Sequence, residues 1–527
     1  MKKKHNRLFD KNLILILFCG GIFAFPYCFR AFWWDESITL INFIQLPFYD
    51  IYKQYTIANN HIAYSIVLKL WDICSGDLFI KSELHYRIFS VMIGLSALVV
   101  IYSFIKRIFS KKTAFFITLI FAVSQPFAIY STAIRGYMFS FLFISITLYS
   151  TYYLYQKDSY LNRVIYFFSA LLTIAIMPSN ILGIYIGILG IIPFADNYFK
   201  NKQKLTQIFF NKKQFYIFFV PIIVFLIFYL PLWDKLFAIA VHNSGTVSVI
   251  SSISNIYLGF FLAFFPLICL LIFVLLHQKI ANSQIEGSTT FDNVSTLQYN
   301  LKKSYVGYGA FVLFICCPLI ILTIGRVVAF PRLFFQLWPL GIIYCANILE
   351  WCFGKYTLLK CRKNKLEINE LEHNMIFNSR LHLLYIGIIL FWGGLMLNCN
   401  YLLSDMFFYN GLYDDFLSPY YLRNYNPKKM ILDLKELSSN SNIPVYVSES
   451  TDFASIILYS TILEQKKLFN YVKLPMMSKS LELPKGQKFY YIATFNENIN
   501  AFAHKHNLDP PILIKNYKFQ YLYLFRD

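Results

Sequence analysis

Long runs of apolar residues alternate along this chain with short polar turns, and the turns themselves alternate in kind. One set is rich in Lys and Arg: Lys2 to Lys11, Lys106 to Lys112, Lys157 and Arg163, Lys200 to Lys213, Lys279 to Lys303, and Lys355 to Arg380. The other set lacks such an excess of Lys and Arg: Phe32 to His85, Ser131 to Gly136, Pro178 to Asn180, Asp234 to Asn255, Gly325 to Arg332, and everything after Asn398. Apolar runs long enough to cross a bilayer, separated by loops that take turns being basic, follow the positive-inside rule. The pattern predicts about eleven transmembrane helices, starting near residues 12, 88, 113, 136, 164, 181, 215, 256, 306, 333 and 381, with the amino terminus cytoplasmic and the carboxyl terminus outside. Two short legs between residues 164 and 195 predict either a pair of thin spans or a re-entrant hairpin, with the same sidedness.

The first outer loop, residues 31–87, is more than a linker. Ile41, Ile44, Phe48, Ile51, Tyr52 and Tyr55 fall at helical spacing, interrupted by Pro47 and Asp50. A second stretch from His61 to Trp71 places Tyr64, Leu68 and Trp71 on one face. Both read as short amphipathic helices lying at the membrane surface. Beyond residue 400 the texture becomes that of a soluble domain. Met430 to Leu437 and Asp452 to Glu464 read as helices, and Pro444 to Val447, Phe489 to Ala493 and Phe519 to Phe525 as strands. The expected architecture is a polytopic α-helical membrane domain over residues 1–399, followed by a small extracytoplasmic α/β domain over 400–527.

Composition strengthens this picture. Only 14% of the 527 residues are charged and mean hydropathy is +0.50, whereas a soluble domain carries about 25% charged residues. The formal charge of +20 raises the question of a nucleic-acid partner. Residues after 400 hold 14 Lys and Arg against 12 Asp and Glu, so nearly all of the excess lies in the basic turns between spans. The charge therefore reports topology, and no nucleic acid is expected. The ten cysteines show no CxxC spacing and predict neither a metal cluster nor a disulfide framework. The basic start followed by an apolar run lacks a small-residue cleavage site, and reads as a retained anchor.

Candidate chemistry gathers on the outer side. Asp35 and Glu36 follow Trp33 and Trp34 where the first helix leaves the membrane. A carboxylate inside hydrocarbon costs roughly 2.5–3.5 kcal/mol, so this pair lies just outside the core or serves a function. Asn60 and His61 follow in the same loop, Arg135 stands before Tyr137 in a later outer turn, and Arg332 follows Pro331. Outer loops should be poor in arginine, and a bound anion supplies a reason for these two, since the guanidinium fork matches phosphate. His85 and Arg87 fit two roles, orienting the second helix or touching substrate. Carboxylate, histidine and two arginines at a membrane face fit transfer of a group from a lipid phosphate.

The order of these segments resembles a known family. A Trp-rich Asp-Glu after the first helix comes first, then His61 with an aromatic-rich segment ending in Trp71, then Tyr86-Arg87. A basic turn, the Tyr130 to Tyr137 segment and the late Pro331-Arg332 follow. Over about residues 1–350 this resembles the GT-C glycosyltransferases, in the branch holding the protein O-mannosyltransferases and the bacterial lipid A aminoarabinose transferases. The resemblance puts the family's acidic motif on Asp35 and Glu36, with Asp35 as the base for the acceptor hydroxyl. The family's His-Pro-Pro-like segment falls on His61 to Tyr64, both prolines being absent. Its Ala-Arg-x-Tyr-like motif falls on Arg135 and Tyr137, and its late arginine on Arg332. Where relatives carry His-Tyr, this chain has Pro178-Ser179-Asn180.

The chemistry also stands without the family. A sugar on a polyprenyl phosphate has a leaving group that is already a stable anion and needs no general acid, unlike the two-carboxylate glycosidases. One carboxylate as base and cationic groups on the phosphate suffice. Adjacent helical residues point about 100° apart, so Asp35 and Glu36 do not both face one acceptor, and Glu36 suits an arginine partner or the helix start. The expected function is an inverting, plasma-membrane (inner-membrane) glycosyltransferase acting outside the cytoplasm. It would move a sugar from a polyprenyl-phosphate donor to a lipid, glycan or protein acceptor, with the donor tail among helices and membrane lipid. Catalysis falls to Asp35 and Glu36, donor phosphate to Arg135, Arg332 and Tyr137, and substrate or a divalent cation to His61 and Asn60, although no tight ligand spacing demands a metal. The alternatives are an O-antigen-type polymerase or ligase, whose large outer loop is expected late in the chain, and a secondary transporter, which is expected to show inverted repeats and midplane charges.

Overall fold

The computed structural model describes residues 10–55, 60–75, 82–191, 194, 212–242, 260–273, 335–364, 379–398, 426–438, 443–447, 453–462, 487–494, 498–517 and 520–526. Helix α1 (Lys11–Ala24) runs on through a 3-10 turn (Phe25–Phe29) that contains Pro26. The first outer loop then folds as α2 (Trp34–Ile38), a π-turn (Thr39–Phe43), α3 (Phe48–Lys53) and α4 (Ile62–Ser75). The two amphipathic stretches read from the sequence are α3, which starts directly after Pro47, and α4.

Five helices follow in close succession: α5 (Glu83–Ile108), α6 (Lys111–Ala122), α7 (Gln125–Thr132), α8 (Tyr137–Gln156) and α9 (Tyr160–Ile176). Ser82, Ser110, Ser124 and Ser159 stand at the N-caps of α5, α6, α7 and α9, each hydroxyl accepting a backbone N–H of the first turn. Such a cap satisfies one of the donors that a helix start leaves open. The cap at Ser124, with Pro126 behind it, coincides with a bend of 65° between α6 and α7. The helix expected from residue 113 is therefore broken, and its second piece carries the chain towards Arg135. Then come α10 (Asn180–Ile191), α11 (Lys212–Tyr229), α12 (Trp233–His242), helical residues 260–273, α13 (Trp338–Asn364) and α14 (Ser379–Asn398).

This is a mostly helical, multi-pass membrane protein. Among the described residues four helices are long and apolar enough to cross a membrane: 11–29, 83–108, 137–156 and 216–238, with the bent α6–α7 pair as a fifth. Tyr160–Ile176, Asn180–Ile191 and Leu384–Leu395 are apolar but shorter. The helix start expected near residue 306 lies outside the described residues.

Asp10, at the N-cap of α1, meets Lys106 and Lys111 at 2.9 Å each. Two of the basic clusters read from the sequence thus sit at one end of the bundle. Helices α1 and α5 run antiparallel from that end, which carries the Asp35 segment and the start of α5 to the opposite one. Close approach of α5 to α7 depends on Gly94, where a Cβ would come within 2.5 Å of the Ser131 side chain.

The carboxyl-terminal part contains α15 (Pro427–Ser438), β1 (Val445–Val447), α16 (Phe453–Ile462), β2 (Phe489–Thr494), α17 (Ile499–Lys505), β3 (Ile512–Asn516) and β4 (Gln520–Phe525). The sheet has the order β1-β2-β4-β3, with β1 parallel to β2 and the other two pairs antiparallel. The expected helices and strands correspond to α15, β1, α16, β2 and β4. The sequence pattern did not predict α17 or β3, and Asp452, where the second of the expected helices was to start, lies outside the described residues. Helix α16 packs on α2, so the carboxyl-terminal part sits against the segment that holds Asp35 and Glu36.

Candidate active site

The site begins where α1 ends. After the 3-10 turn the chain extends through residues 30–33 and enters α2 at Trp34. A five-residue helix is too short to hold itself, since helices below about 12 residues are marginal alone. Its position is set by Glu36, which is fully buried. One carboxylate oxygen accepts from Arg30 at 3.2 Å and from the Ile134 N–H at 3.0 Å. The other accepts from Arg87 at 2.6 Å and from the Trp33 N–H at 3.3 Å. Burial alone would raise this carboxyl, but the guanidinium groups of Arg87 and Arg30 outweigh it and hold Glu36 below the usual carboxylate range.

Arg87 completes the arrangement from α5. Its fully buried guanidinium donates to the carbonyls of Cys28, Arg30 and Ala31 as well as to Glu36, and lies 5.3 Å over the Phe32 ring. Arg87 therefore fixes the exit path of the first helix, and Glu36 fastens that path to the turn between α7 and α8. The bonded pair Glu36–Ile134 has Asp35 and Arg135 as immediate chain neighbours, so this one bond brings the two together.

Asp35 and Arg135, 4% exposed each, lie 3.8 Å apart between the carboxylate and a guanidinium nitrogen. The same nitrogen is 3.3 Å from His61 Nε2 and 3.4 Å from the Tyr137 hydroxyl, which it donates to. The guanidinium also rests 5.6 Å from the Tyr137 ring centre, and His61 meets that ring edge-on at 5.0 Å. His61 Nδ1 accepts the Gly136 N–H at 2.7 Å. A neutral imidazole with a lone pair engaged at Nδ1 carries its hydrogen on Nε2. His61 Nε2 then stands as a second donor 3.3 Å from the Arg135 guanidinium nitrogen. Three guanidiniums (Arg30, Arg87, Arg135) face two carboxylates (Asp35, Glu36), leaving this set of five with one positive charge in excess.

Four of the residues singled out in the sequence thus meet in one buried cluster: Asp35, His61, Arg135 and Tyr137. Glu36 lies against it with both oxygens engaged, and its role follows from that engagement. Asn60 is not brought to the cluster. Its amide donates to the Ile51 carbonyl at 2.7 Å and accepts from Ser65 at 3.3 Å, joining α3 to the start of α4. Arg332 lies outside the described residues. His85 Nε2 is 3.3 Å from the Ser75 hydroxyl, and Tyr86 donates to Asp72 at 2.9 Å, so these two neighbours of Arg87 tie α5 to α4.

A divalent cation does not fit His61 as it stands. Metal ligation needs a ring-nitrogen lone pair, and with Nδ1 accepting a backbone hydrogen the remaining nitrogen carries the proton. Among the described residues no three His, Cys, Asp or Glu side chains are grouped to hold a metal ion.

Arg30 and Arg87 set the geometry, yet only Arg87 drew notice from the sequence, and then with two possible roles. The rule that singled out Arg135, an arginine on a side that should be poor in them, applies equally to Arg30.

No family model matches this chain, and no curated protein sequence matches it. Among solved structures, the chain is similar to ArnT from Cupriavidus metallidurans in the apo state. The likeness covers 97% of this chain and 97% of that one, at 12% sequence identity and a TM-score of 0.48.

Proposed function

We propose that this protein is an inverting membrane glycosyltransferase that moves a sugar from a polyprenyl-phosphate donor to a hydroxyl of a lipid, glycan or protein acceptor on the extracytoplasmic side. The observation that carries the reading is the meeting of Asp35, Arg135 and His61 in one buried cluster at the exit of the first apolar helix.

Asp35 acts as the base. As the acceptor oxygen forms its bond to the anomeric carbon, its proton passes to the Asp35 carboxylate. The bond from the anomeric carbon to the phosphate oxygen breaks, and the electron pair leaves with the phosphate. The guanidinium of Arg135 and the Nε2–H of His61 receive the charge that builds on that oxygen, in a water-poor setting where such donors act most strongly. Because the leaving phosphate needs no proton, a single carboxylate serves, and its contribution is of the order of 10²–10⁴ in rate. Glu36 takes no proton in this scheme, because Arg30, Arg87 and two backbone N–H groups occupy its oxygens. It holds Asp35 and Arg135 in register. Arg332 enters as a second phosphate ligand by the sequence reading alone.

The test uses purified protein in lipid nanodiscs with polyprenyl-phosphate sugars, comparing wild type with Asp35→Asn. Donor binding is expected to be retained and transfer lost by about 10² or more. Transfer by Asp35→Asn at the wild-type rate would remove Asp35 as base. Extension of a lipid-linked oligosaccharide in place of single-sugar transfer would favour a polymerase or ligase.

A further inference from the structure

Among the described residues, helix α16 of the carboxyl-terminal part packs on the site, and its contacts bracket Asp35. Helix α16 presents Ser455 and Tyr459, one helical turn apart and so on one face, to the segment that bears the acid. Both are buried, as are Phe32 and Ser37 opposite them. The Tyr459 hydroxyl accepts the Phe32 N–H at 2.7 Å and donates to Glu83 at 2.8 Å. Ser455 donates to the Phe32 carbonyl at 3.3 Å, and its hydroxyl shares a hydrogen bond with the Ser37 hydroxyl at 2.7 Å. The Tyr459 ring lies 5.6 Å from the Phe32 ring, on which Arg87 also rests. Lys428 of α15 adds an ion pair to Glu83 at 3.3 Å, so α15 and α16 share an anchor in the first turn of α5.

The chain on both sides of Asp35 is thus held from the carboxyl-terminal part: three residues before it by the backbone of Phe32, two after it by the side chain of Ser37. Glu36 secures α2 from the membrane side, and α16 secures it from the other. A helix this short has no rigidity of its own to offer, so a carboxylate on it stays in register only while both contacts persist. Catalysis by positioning is steep in distance, and a shift of about 1 Å can cost 10²-fold in rate.

We propose that Tyr459 and Ser455 are positioning residues for Asp35, so that the seating of the carboxyl-terminal part on α2 is a condition for transfer. The proposal rests on the reading of Asp35 as base, and its test separates the two. Tyr459→Phe keeps the ring and removes only the hydroxyl; Ser455→Ala is the milder second variant. Both are made in the full chain in nanodiscs and studied in two ways.

Amide hydrogen exchange is followed in the peptide spanning residues 32–37, with residues 137–156 as internal control. Faster exchange in 32–37 alone is expected for Tyr459→Phe, and a smaller increase for Ser455→Ala. Unchanged exchange overturns the clamp whatever the protein catalyses. Transfer kinetics with a polyprenyl-phosphate sugar are measured beside it. For Tyr459→Phe a fall in kcat of about 10-fold or more is expected, with donor KM and undecaprenyl-phosphate affinity within about twofold. In an Asp35→Asn background the same substitution is expected to cost nothing further, because both act through one carboxylate. A wild-type kcat in Tyr459→Phe, or an equal loss with and without the Asp35 carboxylate, overturns the positioning role. A wild-type protein that transfers no sugar from any such donor overturns the glycosyltransferase reading, while the exchange data still decide the clamp.

Discussion

Glu36→Gln is the substitution for which the geometry makes the sharpest demand. Each carboxylate oxygen of Glu36 accepts two hydrogen bonds: Arg30 and the Ile134 N–H on one, Arg87 and the Trp33 N–H on the other. Glutamine has the same shape, but whichever way its amide is turned the NH2 faces two donors. Two hydrogen bonds become donor–donor contacts, and two buried guanidiniums lose their counter-charge at once. Breaking a buried ion pair by removing one partner costs about 3–5 kcal/mol, a large part of the roughly 5–15 kcal/mol that keeps a domain folded. The assay is heat unfolding in detergent, read as the fraction of monodisperse protein surviving each temperature. Glu36→Gln is expected to lower the midpoint by about 5 °C or more, and to loosen the α7–α8 turn with it, so that transfer falls as a consequence. A variant with the wild-type midpoint but no transfer would refute this reasoning, because Glu36 would then act in the chemistry and not as the tie between Asp35 and Arg135.

The same carboxylate gives a pH dependence of defined sign. Its proton affinity is lowered in the folded protein, so its contribution is fully present above the ordinary glutamate range and is lost as pH falls through the lowered value. Heat stability of wild type is expected to take no contribution to its pH dependence from this group between about pH 5 and 8, to lose it only below the usual carboxylate range, and to lack that acid limb in Glu36→Gln. Arg135→Ala is expected to weaken undecaprenyl-phosphate binding by about 10-fold or more; unchanged affinity in a binding titration would remove the phosphate role. In Gly136→Ala the new Cβ would lie 2.6 Å from His61 Nδ1 and 2.6 Å from the Ile176 side chain. Overpacking of this kind costs about 1–3 kcal/mol, and displacement of the ring is expected to reduce phosphate affinity in the same titration, whereas wild-type affinity would show that the His61 orientation is immaterial.

Much of the architecture was legible in the sequence because a bilayer leaves few solutions. Apolar runs of spanning length and the alternation of basic and neutral turns are local signals, whereas the serine caps of α5, α6, α7 and α9 emerged only from the structure. The helices and strands of the carboxyl-terminal part announced themselves by a change in texture. What escaped were elements without a strong local pattern: α17, seven residues long, and β3, whose side chains are all exposed and so show no alternation of buried and open positions. Of the candidate site, Asp35, His61 and Arg135 could be named from residue type and sidedness, and Tyr137 from the family resemblance. The engagement of Asn60 within its own loop could not, since a buried amide satisfied by backbone looks in sequence like one kept for a ligand.

The sequence by itself determined that this is a helical membrane protein with an acid, a histidine and an arginine on a common side. That follows from hydropathy and charge, which act residue by residue. Residue type does not separate Asp35 from Glu36, which are neighbours with the same chemistry. Helix geometry lets only one face an acceptor, and the family resemblance put the base on Asp35. The tertiary structure decided the contacts that set the two apart. Their difference arises because Arg87, Arg30 and the turn at Ile134, drawn from three distant parts of the chain, converge on Glu36 and leave Asp35 beside the two donors.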